Sequence, residues 1–149
     1  EFRKVAERYP SIETTEENVD AVAMWLIKKP EFYDVMVTTN MFGDIISDEA
    51  AQLVGSLGFA ASANIGDNYA LFEPSHGSAP KYAGQFKVNP IAMILSAKMM
   101  LDWIREKEWG SRVQKAIERT LEEGKVRTYD MGGTNTTLEV AEEVAKNLS

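Results

Sequence analysis

The chain has 149 residues, 44% apolar and 26% charged, the size and balance expected of a soluble globular protein with a sizeable core. Its formal net charge of −7 argues against general binding to nucleic acid or to an anionic membrane surface. Cysteine is absent, which excludes disulfides, thiolate metal sites and a cysteine nucleophile and fits a reducing, cytoplasmic setting. No apolar run approaches the ~18 residues of a membrane-spanning helix.

The first residues, Glu1-Phe2-Arg3-Lys4-Val5, carry neither an initiator methionine nor a signal-peptide pattern. They read as the inside of a helix, as expected of a fragment or of one half of a larger protein. That helix should stop before Pro10. A short strand is expected over 11–15, then an amphipathic helix over 17–29 ended by Pro30. Asp20 heads a stripe shared with Met24 and Ile27, so its carboxylate either sits at a wet edge or meets a cation. The β-rich run Tyr33 to Thr39 predicts a strand.

That strand should feed the loop 40–43 and a helix carrying Asp44 and Asp48. Two aspartates four residues apart share one helix face. At ~100° per residue, Ile46, Ala50, Leu53 and Val54 form the packing side, with the aspartates roughly opposite, between Ser47 and Ala51. The pair could present two carboxylates to one hard cation. The plainer alternative is that Asp44 caps the helix N-terminus and Asp48 is solvated.

Turns and short extended pieces are expected from Gly55 to Asn68, and a strand over 69–72. Residues 73–89 read as a long ordered loop, a class that is often functional. Helices follow over 90–105 and 109–123, then a short extended piece over 125–129 and a turn at Gly132-Gly133. A final helix over 136–148 should pack through Leu138, Ala141, Val144 and Leu148. The long loop holds the only histidine, His76, among small residues, followed by Lys81 and Tyr82. An imidazole for adenine, with amides and an ammonium for phosphate, would suit a nucleotide, and a solvated surface loop is the competing account. Neither GxGxxG after a strand nor GxxxxGK[ST] occurs, so a nucleotide would need a different loop.

Taken together these stretches resemble the β-decarboxylating dehydrogenases that act on isocitrate, 3-isopropylmalate, homoisocitrate or tartrate. Asn40 to Gly58 (NMFGDIISDEAAQLVGSLG) resembles the family signature, and His76-Gly-Ser-Ala-Pro80 its adenine-binding loop. Lys87-Val-Asn-Pro90 resembles the segment that follows that loop, and Thr128-Tyr-Asp-Met-Gly-Gly133 is similar to the family's C-terminal cofactor-proximal stretch. The resemblance covers essentially the whole chain, as the C-terminal part of such an enzyme. It implies an incomplete α/β fold of the isopropylmalate-dehydrogenase type, not a standard Rossmann fold. Residues 1–54 would belong to a small dimer-forming, metal-binding domain and 55–149 to a large cofactor-binding domain.

The resemblance also assigns roles. Asp44 and Asp48 match metal ligands for Mg²⁺ or Mn²⁺, and Asp20 matches an aspartate that a second subunit contributes, which implies a homodimer with shared sites. His76, Gly77, Ala79 and Asn89 match adenosine contacts. Lys81, Tyr82 and Tyr129 match contacts to the 2′-phosphate of NADP, favouring NADP over NAD. Gly133, however, stands near where NADP-dependent bacterial isocitrate enzymes carry an arginine. The implied activity is metal-dependent oxidative decarboxylation of a 2-hydroxy acid, isocitrate favoured, with isopropylmalate or homoisocitrate as the alternative. The family's catalytic tyrosine and lysine lie N-terminal to this segment, so no catalytic residue is assigned and the isolated chain is expected to be inactive. Two further accounts are a non-catalytic regulatory subunit of the same fold and an acidic divalent-ion binder without enzymology.

Overall fold

The computed structural model describes residues 1–148. Two compact units divide the chain, Glu1–Ala50 and the remainder from Ala51. The first holds α1 (Phe2–Ala6), α2 (Val19–Lys28), a 3₁₀ turn over Pro30–Phe32 and most of α3 (Asn40–Leu53). Pro30 ends α2 as expected, because it can neither donate to the helix nor fit its interior. Leu26 and Ile46 are the buried apolar side chains of this unit.

The second unit carries the core. The antiparallel pair β1 (Ala61–Ile65) and β2 (Ala70–Pro74) runs in register from Ala61 opposite Pro74 to Ile65 opposite Ala70. Both strands pack against α4 (Ile91–Trp103), and the ring of Phe72 meets Trp103 edge-on. α5 (Lys107–Glu123) and α6 (Thr137–Lys146) complete the layer. Ile91, Ala116, Ile117, Val140 and Val144 form its buried centre, with Phe59, Ile94 and Leu148 packed around them. Gly124, in the left-handed conformation, terminates α5. α6 begins with a capping box: Thr136 accepts from the Glu139 N–H, and the Glu139 carboxylate accepts from the Thr136 N–H.

The helices expected over 17–29, 90–105, 109–123 and 136–148 are all present, and the expected strand at 69–72 is β2. Other elements depart from the pattern. The runs 11–15 and 33–39 form no strand, because no chain pairs with them among the described residues. Val35 and Val37, 82% and 73% exposed, are β-formers lacking the neighbour that a strand requires. The piece over 125–129 pairs with no strand and leads into a 3₁₀ turn at Tyr129–Met131. On α6 the packing face is centred on Val140 and Val144, and Leu138 is exposed. On α3, Ala51 is buried, whereas Leu53 and Val54, at the end of the helix, have no cover among the described residues.

Candidate functional site

Asp44 and Asp48 lie one turn apart on α3, both exposed. Asp44 is the fifth residue of the helix, which starts at Asn40, and the first turn holds no acidic residue. Asp44 therefore cannot be a cap, and the plainer account of it falls away. Among the described residues neither carboxylate has a recorded hydrogen bond or ion pair; only the backbone carbonyl of Asp44 is engaged, accepting from Ser47 Oγ at 3.2 Å. Asp20 sits in the first turn of α2, exposed, with Oδ1 accepting the Ala21 N–H at 2.9 Å. Among the described residues no three acidic or histidine side chains converge, so a single chain does not bring Asp20 to the pair on α3.

A cleft of about 400 Å³ opens in the second unit. His76, Gly77, Ala79, Asn89 and Tyr129, all expected at a nucleotide site, line it together with Leu57 and Asp130. The loop is shaped for close approach. Ala79 holds φ +44° and ψ +58°, a left-handed conformation that costs a residue with a side chain on the order of 1 kcal/mol and is typical of ligand loops. His76 Nδ1 lies 2.9 Å from the Gly77 carbonyl, so an Nδ1–H donating there leaves Nε2 as an acceptor.

The floor of the cleft is organised by Asp130. Its carboxylate accepts from Ser56 Oγ at 2.8 Å, from Asn89 Nδ2 at 3.0 Å and from the hydroxyl of Thr128, which is fully buried. Ser56 also caps the 3₁₀ turn Leu57–Phe59 by accepting from the Gly58 N–H. A Cβ at Gly58 would stand 2.7 Å from Asp130 Oδ2 and 2.8 Å from Asn89 Cβ, so only glycine lets this turn close over the pair. Spacing does not reveal this hub: Ser56, Asn89 and Asp130 are 33 to 74 residues apart. The one available signal was a Thr-x-Asp spacing typical of local side-chain capping.

Burial works against charge on Asp130, but the hydrogen bonds from Thr128, Asn89 and Ser56 outweigh it and hold the carboxyl below the usual carboxylate range. A carboxyl with a folded pKa below its unfolded one adds stability that is complete above the unfolded value, about 4. That stability is lost as pH falls through the folded pKa. The stability gap between wild type and Asp130→Asn is thus expected to be constant from neutral pH to about pH 5 and to shrink below about pH 4. Urea midpoints across that range will read it, and a gap as large at about pH 3 as at neutrality would rule the account out.

Beside the cleft, two lysines and two tyrosines converge. The Tyr82 and Tyr129 ring centroids are 5.6 Å apart; Lys81 Nζ stands 4.8 Å from the Tyr82 centroid. Lys87 Nζ lies 5.4 Å from Tyr82 and 5.2 Å from Tyr129. The Lys81 ammonium pulls the Tyr82 phenol below its ordinary pKa, whereas partial burial and the neighbouring Tyr82 push Tyr129 up. Two ammonium groups and two hydroxyls gathered on one patch can take a phosphate. Lys87 belongs to a motif of the resemblance but carries no phosphate role there.

Similarity to known proteins covers the whole chain. It is 53% identical over 148 residues to a 3-isopropylmalate dehydrogenase of Methanothermobacter thermautotrophicus, spanning 99% of this chain and 45% of that protein. An isocitrate/homoisocitrate dehydrogenase of Thermus thermophilus is 52% identical, across 98% of this chain and 43% of that protein. The crystal structure of an isocitrate dehydrogenase from Methylococcus capsulatus superposes with a TM-score of 0.95 at 42% identity, covering 98% of this chain and 44% of that one. The chain thus spans a little under half the length of these relatives, and its α/β fold is a part of theirs. The sequence profile of the isocitrate/isopropylmalate dehydrogenases matches residues 1–144, and the chain belongs to that family.

Proposed function

We propose that this chain is the cofactor- and metal-binding part of an NADP-linked dehydrogenase that oxidatively decarboxylates a 2-hydroxy acid of the isocitrate type. The observation that carries the NADP assignment is the patch of Lys81, Tyr82, Lys87 and Tyr129 at the edge of a cleft lined by His76, Gly77, Ala79 and Asn89. An NAD site would want a carboxylate there for the ribose hydroxyls, and an ammonium cluster serves a 2′-phosphate instead.

The aspartate pair fits a divalent cation. Both carboxylates are exposed and unpartnered among the described residues, and hard ions such as Mg²⁺ or Mn²⁺ prefer oxygen donors of this kind. Asp44 and Asp48 would hold the ion from one chain and Asp20 from a second copy, making a homodimer with shared sites. When bound, such a cation neutralises charge that develops on the substrate's C2 oxygen as carbon dioxide leaves. The chain's own residues would bind and orient: His76 and Asn89 the purine, Lys81 and the tyrosines the phosphate, and the aspartates the cation. Proton transfer is assigned to residues supplied outside this segment, so the isolated chain is expected to show no turnover in a coupled reduction assay.

A second reading has its own support. Gly133 leaves no room for the arginine of NADP-dependent isocitrate enzymes, as a Cβ there would meet Arg127 backbone. That favours a 3-isopropylmalate or homoisocitrate dehydrogenase. A substrate panel on the complete protein, with both NAD and NADP, separates the two. Lys81→Asp is expected to weaken NADP binding about tenfold or more while leaving NAD binding equal or stronger, because one charge-assisted contact is worth about 1.5–3 kcal/mol. An unchanged NADP-to-NAD ratio, measured by calorimetry at millimolar cofactor, would remove the phosphate assignment.

A further inference from the structure

We infer that Asp130 is a positioning residue for the dinucleotide, fixing the Asn89 carboxamide so that one Asn89 N–H is held out as a donor to a ring nitrogen of the purine. The inference rests on the dinucleotide reading of the cleft and goes further by naming which atom reads the base and what orients it.

Asn89 is 4% exposed and lines the cleft. Its Oδ1 accepts the Ile91 N–H at 3.0 Å, at the start of α4, and its Nδ2 donates to Asp130 Oδ2 at 3.0 Å. These partners have opposite polarity. Turning the amide over would set Oδ1 against a carboxylate and Nδ2 against an N–H, both repulsive, so the orientation is fixed by the network. The second N–H of Nδ2 has no recorded partner among the described residues. A buried donor of this kind calls for an acceptor, from water or from a ligand.

The surroundings favour a purine over a phosphate as that acceptor. Leu57, His76 and Tyr129 give the cleft flat or apolar walls, while Lys81 and Lys87 stand at the tyrosine patch beside it. Asp130 itself is committed: Oδ2 takes Ser56 and Asn89, and Oδ1 takes Thr128. It therefore acts through Asn89 and not on the ligand.

The probe is adenosine 2′,5′-bisphosphate with its 1-deaza, 3-deaza and 7-deaza forms, each of which lacks one ring acceptor. They are titrated into the ¹⁵N-labelled protein, following the Asn89 side-chain amide and the binding midpoints. Wild type is expected to bind one deaza form about fivefold more weakly than the parent, the worth of one hydrogen bond. Asp130→Asn, isosteric and checked for a native amide spectrum, is expected to lose that preference while still binding. Ser56→Ala, which removes a donor from Asp130 but leaves the Asn89 bond, is expected to keep it.

The failures are distinct. No binding of the parent compound at millimolar concentration overturns the dinucleotide reading and this assignment with it. Equal binding of all three deaza forms by wild type overturns the Asn89 donor, whether or not any variant folds. A preference retained in Asp130→Asn, or lost equally in Ser56→Ala, overturns the positioning role and leaves the dinucleotide site standing.

Discussion

Replacing Gly133 with alanine is expected to destabilise the protein by about 3 kcal/mol and to dismantle the turn that carries Tyr129 and Asp130. An added Cβ would overlap the Arg127 carbonyl oxygen and stand 2.6 Å from its carbonyl carbon. Both are backbone atoms, so no rotamer change relieves the overlap. The Arg127 carbonyl is already engaged, accepting the Asn135 N–H at 2.9 Å, and the Arg127 N–H donates to Asn135 Oδ1 at 3.0 Å. Gly133 N–H in turn donates to Thr128 O at 2.9 Å. Moving the backbone would break these bonds and displace Tyr129 and Asp130, which sit on the same turn and line the cleft. Gly132 supplies the control. It holds φ +75° with nothing near its Cβ position, so Gly132→Ala should cost only about 1 kcal/mol of conformational strain. Urea midpoints for the two variants test the contrast, and Gly133→Ala within about 1 kcal/mol of wild type would sink it. The same geometry bears on cofactor choice, because no arginine can be grafted at this position without rebuilding the turn around it.

The two glycines also show where sequence reasoning reached and where it stopped. A Gly-Gly pair announced a turn, but not that one glycine is there for its backbone conformation and the other for lack of a side chain. Helices were legible because they carry their own evidence, such as an apolar period, a Pro30 stop or a Gly124 cap. Strands depend on a partner, and residues 33–39 have the composition without one among the described residues. Faces were legible only to within a residue or two. Val140 rather than Leu138 is buried because the other helices decide which side of α6 they cover. His76, Gly77, Ala79, Asn89 and Tyr129 line one cleft, and each lies in a motif that is recognisable in the sequence. Asp130, Ser56 and Gly58 lie inside such motifs too, but no role attaches to them there, since a hydrogen-bond hub between distant segments leaves no spacing to detect. Lys87 stands in such a motif without a role of its own, because a lysine two residues before an asparagine is unremarkable until its ammonium is seen beside two phenol rings.

The aspartate pair is where loss of function and loss of structure part company. Asp44 and Asp48 are like charges at i and i+4 on an exposed helix face, an arrangement that destabilises the free helix by about 0.2–0.5 kcal/mol. Nothing among the described residues offsets that repulsion, whereas a bound divalent cation would. The double variant Asp44→Asn, Asp48→Asn should therefore be as stable as wild type without metal, or slightly more so. It should lose Mn²⁺ binding by about a hundredfold or more, since removing two charged oxygen ligands strips most of the site's attraction for a hard ion. Titration calorimetry with Mn²⁺ and a thermal melt in chelator read the two effects separately. Undiminished Mn²⁺ binding in the double variant would place the ion elsewhere. A large drop in metal-free stability would make the carboxylates structural. Asp20 extends the argument to a second chain. If it completes the site from a partner copy, Asp20→Asn and the double variant should each bind weakly alone. Mixed at equal concentration, they should regain binding, because one site of each mixed pair then has all three carboxylates. Failure of the mixture to recover, with both variants folded and associated, would mean that Asp20 does not serve this ion.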